Sequence, residues 1–366
     1  MMLRFRIYLT ACLLTVFPAS CVLSPSTFDE AGWRKEVESR NAETLYDVHF
    51  KDGKYFNPWM PMEHGGIWRF LKWRLFSAKA GYTAEEKAFL PAVIPQLKER
   101  IQSMPEGDFI AWLGHASFLM RLQGEFWLTD PMLSDRAFWV KRVTAPAITA
   151  GEIKELTSRL NVIISHNHYD HLDKETLRSL PEGSRFFVPR GLKGYVESFH
   201  HGPVVEMDWW ETLHAGPGVE LICLPAQHWS RRIGQAAGST LWAGFLLKTT
   251  ATSIYFGADS GYFIGYREFA RRFPGIRYAL LDTTAMHPRW FMHYVHKNIS
   301  ETIQAFHDLQ AAYFIPTQWG TFPLGDEPPG YPAMELLRTI RERNLDKTRY
   351  IIMDIGQIET IRQPSS

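Results

Sequence analysis

Short apolar runs separated by polar turns follow one another along the chain from Phe109 onward. The segments "FIAWLGHASFLMRL" and "FWLTDP", joined by the turn "QGEF", predict a β-hairpin. Five further runs predict strands, namely "RFFVPRGL", "ELICLPAQ", "TLWAGFLLKTT", "TSIYFGADSG" and "YALLD". Two more segments, "RLNVIISHNHYDHLDKETLRSL" and "AYFIPTQWGTF", begin as strands and continue into loops.

Helical spacing of apolar residues appears between these strands. The segments "ISETIQAFHDLQ" and "YPAMELLRTIRERNL" predict helices, the first with Ser300 as its N-cap. Asp173 is expected to cap the helix that follows the loop "SHNHYDHL". Strands interleaved with helices indicate a layered α/β domain, which we place at residues 109–366.

The chain before this domain has a different pattern. Residues 45–108 are mostly helical in pattern and predict an extension that packs on the core, with a turn at "SMPEGD" as the boundary. Within it, Gly65 to Phe76 alternate cations with large aromatic residues. This helix either packs its aromatic side chains on the domain or lies against a membrane surface. Residues 21–44 are polar and predict a loose tether.

The first 20 residues have the pattern of a secretory signal peptide. A basic start, "MMLRFR", precedes an apolar run that is too short to span a bilayer, and the small residues "PAS" stand directly before Cys21. A cysteine in that place is typical of bacterial lipoproteins, in which it carries the lipid after cleavage. We therefore expect an exported lipoprotein, anchored to a membrane and facing the periplasm. Ordinary cleavage nearby and an uncleaved anchor are the alternatives.

Composition and charge exclude some classes of function. The 366 residues carry 40 Lys and Arg against 39 Asp and Glu, so no global field would attract nucleic acid. Of the three cysteines, Cys12 would leave with the signal peptide and Cys21 would be lipidated. Cys223 then has no partner for a disulfide and is expected to be a small buried residue. The oligomeric state stays open, with a homodimer as one alternative.

The stretch "SHNHYDHLD" concentrates metal-binding side chains in one place. His166 and His168 are two apart on an extended segment, so both side chains point to the same side. Asp170 and His171 follow where the chain turns into a helix, and are expected to face a neighbouring point. One loop can therefore bind two ions, since imidazole and carboxylate groups are the ligands that zinc accepts.

Further ligands are expected at strand ends, where open α/β sheets place their sites. His228 follows the apolar run "ELICLPAQ", and Asp259 follows "SIYFGA". A carboxylate at Asp259 can bridge two ions, which have to lie about 3.5–4 Å apart to share one water. Two ions that share a water lower its pKa from 15.7 to about 7, so that hydroxide is present at neutral pH.

Eight motifs between Ile110 and Phe322 carry a family resemblance. They are "WLGHASFLMRL", "LTDPMLSDRA", "SHNHYDHLD", "DWWE", "PAQHWSRR", "GADSGY", "PRWFMHYVH" and "QWGTF". The chain resembles the metallo-β-lactamase-fold hydrolases, and within them is most similar to the group of phospholipases D that hydrolyse N-acyl phosphatidylethanolamine. This resemblance implies a four-layer αββα sandwich that carries an N-terminal helical extension.

The resemblance also implies roles for the motif residues. His166, His168 and His228 would hold the first ion, and Asp170 and His171 the second. Asp259 would bridge the two ions. His296 stands at the family's position for a histidine on the substrate side, so the implied catalytic residues are Asp170, Asp259 and His296.

Gln318 departs from the family pattern, in which a histidine precedes "WGTF" and closes the second site. A glutamine offers only a neutral amide oxygen, which is a poorer zinc ligand than imidazole. We therefore expect two divalent ions, zinc first, with a weaker second site that accepts manganese or iron. A histidine of "HPRWFMHYVH" (His287, His293 or His296) is an alternative ligand. His115, in "GHAS", is expected to be structural and to buttress the sheet near the metals.

The implied reaction is hydrolysis of a phosphodiester in N-acyl phosphatidylethanolamine or a related phospholipid. Arg231 and Arg232 either pair with a phosphate or form a solvated turn. Trp229 and Trp290 either line an apolar acyl channel or belong to the core, and Tyr262 is expected on the substrate side. A lactonase or carboxylic-ester hydrolase on the same fold is one alternative. A non-catalytic, lipid-anchored binding protein with a degraded second metal site is another.

Overall fold

The computed structural model describes residues 28–62, 66–76 and 80–361. Its strands are β1 (Phe50–Lys51), β2 (Lys54–Tyr55), β3 (Phe109–Gly114), β4 (Ser117–Leu122), β5 (Glu125–Thr129), β6 (Arg136–Ala137), β7 (Val140–Lys141), β8 (Asn161–Ile163), β9 (Arg185–Pro189), β10 (Val204–Met207), β11 (Thr212–Gly216), β12 (Val219–Leu224), β13 (Gly244–Lys248), β14 (Ser253–Phe256), β15 (Tyr278–Asp282), β16 (Tyr313–Thr317) and β17 (Ile358–Thr360). Its α-helices are α1 (Glu30–Glu38), α2 (Gly66–Phe76), α3 (Ala84–Ala88), α4 (Leu97–Ser103), α5 (Ala150–Leu156), α6 (Lys174–Arg178), α7 (Lys193–Glu197), α8 (Gly265–Arg272), α9 (Arg289–Met292), α10 (Ile299–Asp308) and α11 (Tyr331–Glu342).

Two large sheets make the centre of the fold. A seven-stranded sheet has the spatial order β10-β9-β8-β5-β4-β3-β17, and a six-stranded sheet has the order β11-β12-β13-β14-β15-β16. In the first, β5, β8, β9 and β10 are parallel neighbours. In the second, β14, β15 and β16 are parallel neighbours. The parallel strands matter for function because their carboxyl ends meet at one edge of each sheet.

The expected hairpin at Phe109 is a three-stranded meander instead. Gly114 and His115 have φ of 104° and 51°, and they reverse the chain between β3 and β4 inside what the pattern predicted as a single strand. The second turn is the predicted one. Gln123 and Gly124, at φ 52° and 79°, join β4 to β5 in the left-handed conformation that a two-residue hairpin requires.

Strand β3 shows how the layers are built. Successive side chains point to opposite faces, so Ile110 and Trp112 enter the core between the sheets, whereas Ala111 and Leu113 enter a second core on the outer face. The outer core is closed by helices α4 to α7, through Leu97, Ile101, Ile153, Leu177 and Val196. Helices α8, α10 and α11 cover the second sheet, through Tyr266, Phe269, Ile303, Phe306 and Leu336. The predicted αββα sandwich is confirmed.

The expectation of a loose tether over residues 21–44 is wrong for the part that the structure describes. Helix α1 begins at an N-cap, Asp29, whose side chain accepts a hydrogen bond from Gly32. Its Trp33 and Val37, four residues apart, are buried in the main core. Because the surrounding residues are polar, the pattern predicts a tether, although its apolar residues lie on one side of a helix.

The extension over 45–108 is less helical than expected. Prolines and a short hairpin, β1 and β2, interrupt it, and the segment 56–62 has no regular structure. That segment still packs on the core, because Asn57 and Trp59 are buried. Asn57 Nδ2 donates to the His228 carbonyl at 3.1 Å, and Trp59 Nε1 donates to Gln227 Oε1 at 3.0 Å. The extension therefore supports the chain around His228.

Two predicted helix caps have different outcomes. Asp173 does cap α6, since its side chain accepts from the Glu175 amide. Ser300 does not cap α10: Asn298 does, in a reciprocal capping box with Glu301. Asparagine accepts the amide hydrogen bond as well as serine does, and the two candidates are two residues apart, so the pattern alone did not separate them.

The predictions for the start of the chain lie outside the described residues. The signal peptide at 1–20, Cys12 and Cys21 all lie there. Cys223 is buried with a free thiol, as predicted. Among the helices of the described residues, none has the length and apolar character to cross a bilayer.

Candidate metal centre

Side chains that can bind a metal follow strands of both sheets at one edge of the sandwich. Ser165–Asp173 follow β8, and Asp130 directly follows the neighbouring strand β5. From the second sheet, His228 follows β12, Asp259 follows β14 and Gln318 follows β16. The convergence results from parallel strands that end at the same edge.

The first group of ligands is formed by His166, His168, His228 and Asp259. His168 Nδ1 lies 2.8 Å from His166 Nε2 and 3.1 Å from His228 Nε2. Asp259 Oδ2 lies 3.4 Å from His228 Nε2 and 3.7 Å from His166 Nε2. Ligand atoms around one tetrahedral zinc ion lie about 3.3 Å from one another, so this donor set fits an ion.

The three imidazoles of this group are held neutral. Burial lowers the pKa of His168 to about 4. Burial, with the neighbouring charge of His171, lowers the pKa of His166 well below its usual value, and burial does the same for His228. At neutral pH all three rings are therefore neutral, so each can present an unprotonated nitrogen to one point, an arrangement that a cation stabilises.

Hydrogen bonds from behind orient two of these rings. The His166 Nδ1–H donates to Ser165 Oγ at 2.8 Å, and that hydroxyl donates to Asp130 Oδ2 at 2.6 Å. His228 Nδ1 lies 3.3 Å from the Val295 carbonyl, to which it donates. Both contacts leave Nε2 unprotonated and directed at the ligand group.

A second group is formed by His115, Asp170 and His171. Asp170 Oδ2 lies 3.0 Å from His115 Nε2 and 3.3 Å from His171 Nε2. The other oxygen of Asp259, Oδ1, lies 3.2 Å from His171 Nε2. Asp259 thus directs one oxygen at each group, which is the geometry that a bridging carboxylate needs.

His171 differs from the three histidines of the first group in the direction of its pKa shift. Burial disfavours its imidazolium, but Asp259, Asp170 and Asp130 together raise the pKa of His171 well above its usual value. Its Nδ1 donates to Asp130 Oδ2 at 2.6 Å. Its Nε2 is buried and has no aligned hydrogen-bond partner among the described residues. A cation placed there would replace the Nε2 proton.

Gln318 faces this centre. It is buried, and its Nε2 donates to Asp259 Oδ1 at 2.7 Å. The amide oxygen has no partner within the described part of the chain. The side chain therefore stands beside the bridging carboxylate, where a weak ligand was expected, but it presents its amide nitrogen to that carboxylate.

One of the three alternative histidines lies near the metal ligands. The His296 ring is 5.6 Å from that of His228, and its Nδ1 is 3.6 Å from Asp282 Oδ2. Burial lowers the pKa of His296, but the neighbouring carboxylates of Asp282 and Asp259 outweigh burial and raise it above the usual value.

The other two histidines proposed as alternative ligands contact residues outside the metal centre. His287 Nδ1 lies 2.7 Å from the Tyr82 hydroxyl. His293 donates from Nδ1 to the Arg289 carbonyl at 2.8 Å, with its ring packed between Phe28 and Trp33.

The structure contradicts two of the expected substrate contacts. Arg232 is buried, donates to the Asn167 carbonyl at 2.8 Å, and stacks over the Tyr169 ring at 3.9 Å. It therefore fastens the metal-binding loop and is not free to pair with a phosphate. Tyr262 is buried in the main core and donates to Asp308 Oδ2 at 2.6 Å, so it is a core residue.

Three other substrate assignments stay predictions. The Trp229 ring lies edge-on to His168, 5.1 Å between centroids, at the rim of the first ligand group. Arg231 is exposed. Trp290 lies beside α2, where Lys72 Nζ is 5.3 Å from its ring.

Sequence reasoning missed two residues that support the site. Asp130 follows the apolar run "FWLT" as Asp259 follows "SIYFGA", so the same signal was available. Lys297 is fully buried, donates to the Ser260 carbonyl at 2.6 Å and pairs with Asp282. It holds the chain in place next to Asp259, and the local sequence "VHKNIS" does not indicate that its lysine is buried.

Comparison with known proteins places this geometry in context. The model of the beta-lactamase superfamily domain matches residues 127–319. N-acyl-phosphatidylethanolamine-hydrolyzing phospholipase D 1 of Caenorhabditis elegans is 29% identical over 271 residues, 69% of this chain and 75% of that protein. The mitochondrial N-acyl-phosphatidylethanolamine-hydrolyzing phospholipase D of Saccharomyces cerevisiae is 33% identical over 280 residues. That match covers 73% of this chain but only 58% of the yeast protein.

Solved structures agree on the architecture. A metallo hydrolase from Ignicoccus hospitalis has a TM-score of 0.55 at 18% identity, covering 70% of this chain and 98% of that one. A diiron beta-hydroxylase from Streptomyces venezuelae has a TM-score of 0.52 at 21% identity, covering 71% and 55%. At such identities the two structures show the fold alone.

Proposed function

From the premise that this chain belongs to the metallo-β-lactamase superfamily and is a metallo-hydrolase, we propose that it is a phosphodiesterase of the phospholipase D type. Its substrate would be N-acyl phosphatidylethanolamine or a related phospholipid. The observation that carries the proposal is the pair of ligand groups joined by Asp259. The substrate class is drawn from the two relatives that are 29% and 33% identical.

The donor set fits two divalent cations, zinc first. His166, His168 and His228 would hold one ion, Asp170 and His171 the other, and Asp259 both. When bound, such ions lower the pKa of a water from 15.7 to about 7 and stabilise negative charge on phosphate oxygens.

The protein's own contribution is to place and charge the groups around the phosphodiester. Asp130 and Ser165 fix the rings of His171 and His166, so the ligands are in position before substrate arrives. The raised pKa of His296 lets this histidine hold a proton close to the first ligand group. That proton can pass to the alkoxide that leaves when the phosphorus–oxygen bond breaks. The attacking water supplies the new oxygen on phosphorus, and the proton that it loses restores His296.

Apolar side chains at the rim support a lipid substrate. Phe138 stacks on Tyr169, inside the metal-binding loop, at 4.5 Å between centroids. Its neighbour Trp139 is 63% exposed, and Ile233, whose amide donates to the Tyr169 hydroxyl, is 72% exposed. We propose that this rim, defined by Phe138, Trp139, Tyr169 and Ile233, meets a phospholipid surface. Export and lipid anchoring through Cys21 belong to the same proposal, with the sequence as their support.

The deciding experiment is a substrate panel with zinc-loaded protein. Release of phosphatidate and the N-acyl ethanolamine from N-acyl phosphatidylethanolamine supports the proposal, and Asp259→Asn should abolish it. Protein with both ions bound that turns over no phosphodiester would refute it. Turnover of lactones or carboxylic esters in the same panel would then identify the alternative hydrolase. Binding of the lipid without hydrolysis of any substrate would identify a binding protein.

A further inference from the structure

We propose that His115 is a ligand of the second ion and supplies the imidazole that Gln318 does not. The inference rests on the proposed function in one respect, namely that divalent cations occupy this centre. It changes the role expected for His115, which was that of a buttress for the sheet. It also makes the second site of this chain a different ligand set from the one that the family pattern implies.

The contacts of the second group carry the proposal. His115 is fully buried, and its Nε2 lies 3.0 Å from the same Asp170 oxygen that is 3.3 Å from His171 Nε2. Atoms that share one zinc ion at 2.0–2.2 Å lie about 3.3–3.6 Å apart when the geometry is tetrahedral. Two of the three donor pairs therefore already have nearly the spacing that a common ion requires, and all three donor atoms lie within 4.8 Å of one another.

The backbone holds His115 in this place. Its amide donates to Thr321 Oγ1 at 2.9 Å, and its carbonyl accepts from Trp112 Nε1 at 2.9 Å and from the Gln318 amide at 3.0 Å. Its φ of 51° is a left-handed conformation that costs free energy in a residue other than glycine. Such positions persist where the surroundings fix them and are enriched at functional sites.

The same contact allows one other role for the ring. The Nδ1 atom of His115 is buried and has no partner among the described residues in either role, and the hydrogen bond of Nε2 in that part of the chain is with Asp170. The alternative is that His115 donates to Asp170 and so orients that carboxylate from behind.

A glutamine at position 115 separates the two roles. Its amide N–H can still donate toward Asp170, but its amide oxygen is a weak zinc ligand. Metal content after dialysis against buffered zinc, measured by elemental analysis of folded full-length protein, is the readout. Wild type should retain two ions per chain, and His115→Gln one ion, with the second binding at least tenfold more weakly. Gln318→Ala tests the alternative that the amide of Gln318 is the ligand, and it should retain two.

Several outcomes would overturn the inference. These are two tightly held ions in His115→Gln, loss of the second ion in Gln318→Ala alone, or a wild type that holds a single ion at the first group. In each of them the first ion is still bound, so the proposed hydrolase survives. Absence of any ion from wild type would instead refute the metal centre itself.

A second measurement does not depend on a variant's folding. In wild-type protein loaded with cobalt, each ligating histidine gives a paramagnetically shifted, exchangeable N–H proton resonance. Resonances are expected from the four histidines His166, His168, His171 and His228, and a fifth from His115. A spectrum with four histidine resonances would refute ligation by His115.

Discussion

At the scale of single residues, Gln318 places an amide where the family pattern has a histidine. The amide of Gln318 donates to the same Asp259 oxygen that lies near His171, and therefore occupies space beside the bridging carboxylate. A neutral amide there leaves the local charge of the second group to Asp170 and Asp259. Affinity for the second ion should thus respond to any stronger donor placed at 318.

We expect Gln318→His to tighten binding of the second ion at least tenfold, since imidazole is a stronger ligand for zinc than an amide oxygen. Isothermal titration of metal-free protein with zinc would measure the change, with the first binding event as internal reference. The left-handed backbone at 318, φ 73°, suits histidine no worse than glutamine. Unchanged affinity for both ions would mean that an imidazole at 318 does not reach the second group.

His293 gives a residue-scale prediction that is independent of metals. Burial lowers the pKa of His293 to about 4, whereas the unfolded chain has about 6.5. The unfolded state therefore binds more protons between these values, so the contribution is present above pH 6.5 and lost as pH falls toward 4. The full loss is about 3 kcal/mol.

Urea unfolding of metal-free wild type and His293→Gln at pH 7.5 and pH 4.5 would measure this loss of stability. The decrease in unfolding free energy on acidification should be smaller in the variant by up to about 3 kcal/mol, because glutamine does not titrate. The buried metal-binding histidines titrate equally in both proteins and cancel in the comparison. Equal decreases in both would contradict the prediction.

At the scale of elements, helix α1 links the start of the described chain to the segment that carries His296. Arg289, on α9, pairs with Glu30 of α1 at 2.8 Å and with Glu301 of α10 at 2.7 Å. Trp33 packs edge-on against the His293 ring at 4.6 Å. The helix is thus part of the folded unit and supports α9 from outside.

Trp33→Ala should therefore lower the unfolding free energy by about 3 kcal/mol or more, which is the usual cost of truncating a buried tryptophan. Equilibrium denaturation in urea measures it. The matched control is Trp68→Ala on α2, where the side chain is 78% exposed and the expected change is within about 0.5 kcal/mol. A loose tether, as the sequence suggested, would give no difference between the two variants.

At the scale of the whole molecule, the rim around Tyr169 and the free side of α2 expose large apolar groups. Trp139 and Ile233 belong to the rim, while Trp68 and Leu75, 78% and 67% exposed, stand on α2. Another part of the same helix packs inward, since Trp73 stacks on Phe291 at 4.8 Å. Packing on the domain thus holds for one side of this helix, and membrane contact stays a prediction.

We expect Trp139→Ser combined with Ile233→Ser to reduce binding of the unlipidated chain to phosphatidylethanolamine–phosphatidylglycerol vesicles several-fold, because both side chains would enter the lipid interface. Sedimentation with vesicles measures the bound fraction. Leu337→Ser, at a 41% exposed position on α11, is the control and should bind as wild type does. Unchanged binding of the double variant would show that the rim does not meet the lipid.

The architecture was largely predictable because its signals are local. Continuous apolar runs gave β9, β12, β14 and β15, and the histidine-rich loop gave the ligands that it contains. What the sequence did not reveal depends on contacts between distant segments. His115 meets Asp170 across 55 positions, and Arg232 meets Asn167 across 65. No spacing rule distinguishes such partners from ordinary polar residues.

The carboxylate of Asp130 has a consequence for how this centre can evolve. One of its oxygens contacts both His171 and the hydroxyl of Ser165, which in turn receives the His166 proton. Asp130 thus orients a histidine ligand of each cation position. A lineage that abandoned the second cation would still need that aspartate for the first, so Asp130 should outlast Asp170 in descendants that have become mononuclear.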